Sequence, residues 1–220
     1  MKNKNIYGVA IIPAKTDSTR LSKKNLQMVA GKTLLEHSIE YALDSKYIKH
    51  IIVSTESDEV KKICEGYTVF EKDFDNQDDG ASKITSQIEV YDRPDHLLKD
   101  AEVADVYIDI FQNQFDNYGE WTIPDHATHV VGIQPDHPDR TLHIDKMLEY
   151  FVENKYDDLF TVSKDGTRNG SIRIVKSEHV KSGEMSKRVG SMMDDCTNIH
   201  DEQDLINAEK NINEQLHKKS

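Results

Sequence analysis

Cysteine, proline and tryptophan are scarce in this chain of 220 residues, which has two, five and one of them respectively. The two cysteines, Cys64 and Cys196, cannot build a disulfide framework and match no metal-binding spacing, so a reducing cytoplasm is the expected setting. Positive charge is also in deficit: 40 acidic residues against 28 basic ones leave a net charge of −12. That balance argues against a nucleic acid or an anionic membrane surface as a general partner. No apolar run approaches the roughly 20 residues of a membrane span. The first apolar segment, directly after Met1–Asn5, is too short for a signal-peptide core. Neither the glycine-rich dinucleotide fingerprint nor the full Gly-x-x-x-x-Gly-Lys-Ser/Thr phosphate loop occurs (Gly31-Lys32-Thr33 has Leu26 where the first glycine would stand), and no repeat, low-complexity tract or interdomain linker stands out. The length suits one domain, residues 1–220, with an irregular insertion at about 71–125.

What is present alternates between strand and helix signals. Residues 6–12 are a short continuous apolar run, the pattern of a strand buried on both faces. Residues 33–44 place Leu35, Ile39 and Leu43 at i, i+4 and i+8, an amphipathic helix, with Gly31 in a turn before it. Residues 50–55 repeat the buried-strand pattern, and Ser57 is placed to cap a helix over 58–65. Strand, helix, strand, helix at this rhythm predicts right-handed crossovers and a mostly parallel, Rossmann-like α/β sheet with helices on both faces. Further along, the pattern predicts strands at 84–91, 128–134 and 159–163, and a half-exposed strand at 170–175. It predicts helices at 103–115, 141–154 and 201–217, the last with Leu205, Ala208 and Ile212 inward.

Four constellations carry chemistry. The first follows strand one, where Ile12-Pro13-Ala14 opens into a loop holding Lys15, Arg20, Lys23 and Lys24 with hydroxyls at Thr16, Ser18, Thr19 and Ser22. Cations and backbone N–H groups at the carboxyl end of a buried strand suit a polyphosphate, although a lysine-rich loop is also compatible with plain solvation. The second is Gln134-Pro135-Asp136-His137-Pro138. Asp136 there is placed either to share Mg²⁺ with phosphate oxygens or to stabilise a turn. The third, Asn198–Asp204, puts His200 near a metal position, while Asp201 and Glu202 equally suit the start of a helix. The fourth is Arg93-Pro94, a further phosphate contact or a surface arginine.

Taken together, these segments resemble the cytidylyltransferases that activate acidic sugars, the acylneuraminate (CMP-sialic acid) synthetases and the CMP-Kdo synthetases. The resemblance runs from about residue 6 to 210. It is carried by Ile12–Asn25, Gly31–Ile39, Ile52–Thr55, Arg93-Pro94, Gln134-Pro135-Asp136, Asn169–Ile172 and Ile199–Leu205 with Ala208-Glu209. The chain departs from the family pattern at Lys15, where arginine is usual, and at Asp17, where glycine is usual. It departs again at Asn198 and His200, which stand where the family has aspartates. An imidazole is a poorer Mg²⁺ ligand than a carboxylate.

The resemblance implies the nucleotide-diphospho-sugar transferase fold with a small dimerisation extension, a cytoplasmic homodimer, and CMP transfer from CTP to a sialic-acid-like or Kdo-like acceptor for surface glycans such as lipopolysaccharide or capsule. It implies Lys15, Lys24 and Arg20 as the catalytic cations and Ala14, Ser18, Asn25, Arg93 and Gln134 around the nucleotide. Asp136, His200 and Asp201 are implied for Mg²⁺. Tyr107, Phe111, Phe115 and Trp121 are candidate dimer contacts or core. A phosphonate, sugar-phosphate or other-NTP reaction stays open, as does a non-catalytic nucleotide-binding role.

Overall fold

The computed structural model describes residues 6–16, 20–67, 70–72, 84–98, 101–113, 126–183 and 186–219. Strand β1 (Gly8–Pro13) is the centre of the sheet, and its inner residues are completely buried. A 3-10 turn (Lys24–Leu26) and a short hairpin, β2 (Met28–Val29) and β3 (Lys32–Thr33), lead into helix α1 (Leu34–Leu43). Thr33 accepts from the Glu36 N–H, and the Glu36 carboxylate accepts from the Thr33 N–H, a reciprocal cap that fixes where α1 starts. Strand β4 (Ile48–Thr55) returns parallel to β1, and Ser57 caps α2 (Asp58–Glu65) as its position predicts.

Strand β5 (Phe70–Lys72) pairs antiparallel with β6 (Ile84–Asp92), which lies parallel to β4. Helix α3 (Val103–Asn113) then carries the chain back over β1 to β7 (His129–Ile133) on its other side. The remaining elements are α4 (Ile144–Glu153), β8 (Asp158–Val162), β9 (Arg168–Lys176), α5 (Ser177–Ser182), β10 (Val189–Met193) and α6 (Glu202–Lys219). The eight-stranded sheet runs β10-β8-β9-β7-β1-β4-β6-β5, with β9 and β5 antiparallel to the others. The connection order reverses between β4 and β7, on either side of β1. In open α/β sheets that switch opens a crevice at the strand carboxyl ends.

Period-two alternation splits β1 between two cores. Ala10 and Ile12 pack with Leu35 and Ile39 of α1, Val60 of α2, and Ile144, Leu148 and Phe151 of α4. Val9 and Ile11 face α3 and α5 through Val106, Ile110 and Val180. Each fully buried side chain of this size contributes roughly 1.5–3 kcal/mol by leaving water. Helix α6 buries the predicted Leu205, Ala208 and Ile212, but against Val29 and Leu34 of the hairpin and α1 start rather than against the sheet. Among the described residues no helix is long and apolar enough to cross a membrane.

One expectation changes and one open alternative narrows. The strand predicted at 170–175 is longer and lies between β7 and β8, with Ser171, Ile172 and Ile174 fully buried, so it is a central strand and not a half-exposed one. Tyr107 and Phe111 take the core alternative; Tyr107 lies so close over β7 that a Cβ at Gly132 would fall 1.9 Å from its hydroxyl. Phe115 and Trp121 lie outside the described residues. The hairpin, α5 and β10 have too few residues to show a period, and pairing rather than pattern defines them.

His129, buried in β7, meets the Phe151 ring edge-on at 5.2 Å, and its Nδ1 lies 2.6 Å from the Thr128 hydroxyl. Burial, with Lys176 adding to it, lowers its pKa from 6.5 to about 4. The unfolded chain therefore takes up a proton between those values that the folded chain refuses. Stability is full above pH 6.5 and falls as pH drops toward 4, by about 3 kcal/mol for this group. Urea midpoints measured from pH 7 to 4 should fall with this slope, and His129→Gln should flatten it; equal slopes in both proteins would rule the account out.

Candidate active site

A crevice of about 410 Å³ opens at the carboxyl ends of β1 and β7. Pro13, Lys15, Arg20, Lys24 and Asn25 line one wall, Arg93 a second, and Gln134, Pro135, Asp136 and His200 a third. Four cations thus surround one carboxylate in a chain whose net charge is −12. That local reversal suits a polyanionic ligand.

The first wall is stapled together by hydrogen bonds. Asn25 is buried, and its amide donates to the Lys15 carbonyl at 2.7 Å, fixing the loop from within. The Thr16 N–H and hydroxyl both donate to Glu56 Oε1, at 2.8 and 2.7 Å. Burial would raise the Glu56 pKa, but these bonds outweigh it and keep the carboxylate charged. Ala14 is buried behind the crevice; its N–H donates to the Ser54 carbonyl and its own carbonyl accepts from the Thr55 hydroxyl. Ala14 is thus fixed by its backbone at the back of the crevice and does not line it. Ser18 lies outside the described residues.

Lys24 crosses the crevice. Its ammonium donates to Asp136 Oδ2 at 2.6 Å and to the Ile199 carbonyl at 3.3 Å, while the Ile199 N–H donates to the Asp136 carbonyl. His137 Nδ1 approaches Asp136 Oδ1 to 3.0 Å, close but poorly aligned for a hydrogen bond. Burial alone would raise the Asp136 pKa; His137 and Lys24 outweigh it and hold the carboxyl well below the usual carboxylate range. Arg93 is buried beside the crevice, with Nε and Nη2 donating to the hydroxyl and carbonyl of Ser54 at 3.1 Å each. Among the described residues it forms no ion pair, so its charge is available to a ligand.

The third wall rests on Asp139 and Asn169. The buried Asp139 carboxylate accepts from the Thr197 N–H and hydroxyl at 2.8 Å each and from Asn211 at 2.7 Å, which anchors the segment leading to His200. Asn169 accepts from the Thr161 hydroxyl and the Ser171 N–H and donates to the Asp194 carbonyl. This shapes the turn before Gly170. Gly170 has φ +78°, and a Cβ there would sit 3.2 Å from the Gln134 amide nitrogen, so the Gln134 side chain lies directly over the glycine.

The three predicted metal ligands separate. Asp136 is in the crevice. His200 lines it too, but its Nδ1 lies 3.1 Å from Arg20 Nη1. Asp201 does not line it: its carboxylate accepts from the Asp204 N–H while Asp204 accepts from the His200 and Asp201 N–H groups, a helix cap. That corrects the expectation for Asp201. Among the described residues no cluster of three His, Cys, Asp or Glu side chains could hold a metal. A single anionic carboxylate still fits Mg²⁺ arriving with a triphosphate, because phosphate oxygens and water complete its octahedron.

The fold is an open α/β sheet with a cation-lined crevice at its strand ends, a setting suited to a polyanionic ligand. A CMP-2-keto-3-deoxy-manno-octonic acid synthetase solved with CTP matches this fold with a TM-score of 0.66 at 12% identity, covering 95% of this chain and 99% of the other. Residues 9–93 match the family model described as Cytidylyltransferase, in line with the resemblance read from the motifs in that stretch. A CMP-N,N'-diacetyllegionaminic acid synthase of Legionella pneumophila is 41% identical over 27% of this chain and 25% of its own length. A pseudaminic acid cytidylyltransferase of Campylobacter jejuni is 31% identical over 38% of this chain and 42% of its own. The matched stretches thus span well under half of these relatives' lengths.

Sequence reasoning missed the buried Asp139 and Arg140 and the half-buried Glu56, whose side chains brace the neighbouring loops; burial leaves no mark in the local sequence. If Gly170 sets the Gln134 side chain, Gly170→Ala should weaken nucleotide binding by about tenfold while folding persists, since positive φ costs an alanine only about 1 kcal/mol. Titration calorimetry with CTP measures this; unchanged affinity would free Gln134 from that constraint.

Proposed function

We propose that this protein is a cytidylyltransferase that transfers CMP from CTP to an acidic sugar of the sialic-acid or Kdo kind, releasing pyrophosphate, in the supply of activated sugars for surface glycans. The observation that carries the proposal is the set of four cations around Asp136 at the strand ends, all four of them inside the segment that matches the cytidylyltransferase family. An acceptor oxygen attacks the α-phosphorus, the bond from that phosphorus to the bridging oxygen breaks, and pyrophosphate leaves. The acceptor's proton passes to solvent. Transfer of this kind is mainly positioning and charge stabilisation.

Lys15 and Arg20 meet the triphosphate from the first wall, and Arg93 and Gln134 hold the nucleotide. Among the described residues the Lys15 ammonium has no partner, so it meets phosphate without first giving up a bond. Lys24 leaves Asp136 or shares it as negative charge arrives. Asn25 acts by holding the Lys15 backbone. Asp136 would hold Mg²⁺, which supplies charge screening between two anions and polarises the α-phosphate. A cytoplasmic homodimer completes the proposal, on the strength of the motif resemblance.

The acceptor has a place beside the nucleotide. A cavity of about 230 Å³ shares Val103 and Gln134 with the crevice and is lined further by Tyr107, Arg168, Gly170 and Arg173. Arg173 is already held by Asp158 at 2.6 Å. Arg168, stacked 4.5 Å over the Phe160 ring and without an ion pair among the described residues, is left to meet an acceptor carboxylate.

Pyrophosphate release from CTP, followed with acidic-sugar acceptors, tests the assignment. Lys15→Ala and Lys24→Ala should each lower turnover by on the order of 10²-fold, as loss of one preorganised charge does elsewhere. Wild-type rates in both would remove them from the chemistry. Arg168→Ala should raise the acceptor KM by about tenfold or more with the CTP KM little changed. A rise in the CTP KM alone would move the acceptor elsewhere.

A further inference from the structure

Arg140 is a buried cation without an ion pair among the described residues. Burying a guanidinium is costly, and an apolar side chain of similar size commonly serves packing as well or better. Every polar contact it makes is to a neutral oxygen. Nε donates to the Ser171 hydroxyl at 2.9 Å, Nη1 to the Ser38 hydroxyl at 3.4 Å, and Nη2 to the Gln134 carbonyl. Its flat face lies 5.1 Å over the Tyr41 ring. Burial lowers its pKa, and the attraction of Tyr41, Cys196, Asp194 and Asp136 opposes that.

The three nitrogens of the fork thus reach β9, α1 and the crevice residue directly after β7. Gln134 is held at both ends of its main chain: its N–H donates to the Ser171 carbonyl at 3.1 Å, and its carbonyl accepts from Arg140. The next residue is Pro135, which has no N–H, so the carbonyl is the only hydrogen-bonding group of that peptide unit. With the main chain fixed and the side chain resting on Gly170, little freedom is left to the Gln134 amide.

We propose that Arg140 is a positioning residue for nucleotide selection, fixing the pose of Gln134 and through it the discrimination between cytosine and uracil. The inference rests on the reading of the crevice as a CTP site with Gln134 on the nucleotide. A carboxamide held in one pose offers its oxygen and its N–H₂ in fixed directions. It can therefore favour one base edge and reject another whose donor and acceptor are exchanged. A mobile amide would turn to accept either.

The test is kcat/KM for CTP and UTP in the wild type, Arg140→Lys, Arg140→Met, Gln134→Ala and the Arg140→Met/Gln134→Ala double variant, with thermal unfolding of each. Arg140→Lys keeps the buried charge but cannot span all three oxygens, and it serves if Arg140→Met fails to fold. The CTP preference should shrink by about tenfold in either Arg140 variant, and the double variant should be no worse than Gln134→Ala. Ser38→Ala, which removes only the longest contact, should leave the preference unchanged. A folded Arg140 variant that keeps the preference, or single effects that multiply in the double variant, would overturn the proposal. A wild type that turns over no CTP defeats the functional reading instead; calorimetric affinities for CTP and UTP across the same variants then decide the role of Arg140.

Discussion

The ion pair between Lys24 and Asp136 is the contact on which the site depends. Its partners are separated by 112 residues and come from different walls of the crevice, and both side chains are largely sheltered from solvent. A pair of this kind contributes little net stability, because desolvation offsets much of the attraction, yet removing one partner strands the other. Its value is positional. Lys24 also reaches the Ile199 carbonyl, so one ammonium ties the loop after β1, the end of β7 and the segment before α6 into one frame. Under the proposed function, an arriving triphosphate would compete with Asp136 for that ammonium, and a metal carried by the triphosphate would compete with Lys24 for that carboxylate. The pair would then be a stand-in for the charges the site exchanges.

Around this pair stands a scaffold of buried and half-buried polar groups that brace the crevice walls. Asn25 holds the Lys15 carbonyl, Glu56 holds Thr16, Asp139 holds Thr197 and Asn211, and Asn169 shapes the turn at Gly170. Each bond ties together loop residues that no regular secondary structure would fix. Hydrogen bonds satisfied in a sheltered setting can define geometry to within a few tenths of an ångström, which phosphate chemistry requires and hydrophobic packing alone does not supply.

Much of this was legible in the residue pattern. The buried runs before Pro13 and Gln134 located the central strands, and the loop cations and Asp136 fall together because parallel strands deliver their carboxyl ends to one side of the sheet. Ser57 and the face of α1 followed from capping and helical period. What escaped was set by tertiary partners. Asp201 carries the same charge whether it binds metal or caps α6, and only the Asp204 N–H decides between them. Asn25 and Ala14 sit in a motif that reads as ligand contact, and the motif does not show that the Asn25 amide also holds the Lys15 carbonyl or that the Ala14 backbone is tied to Ser54 and Thr55. Arg140 gave no local signal, since a buried arginine and an exposed one look alike in sequence.

The central claim is that Asp136 is a shared anion, neutralised by Lys24 when the crevice lacks nucleotide and able to hold a divalent cation when CTP arrives. The most direct measurement is the calorimetric affinity for CTP with and without Mg²⁺, in the wild type and in Asp136→Asn. The account predicts that Mg²⁺ tightens CTP binding in the wild type and has little effect in Asp136→Asn. An equal Mg²⁺ dependence in both proteins, or no CTP binding by the wild type, would contradict it.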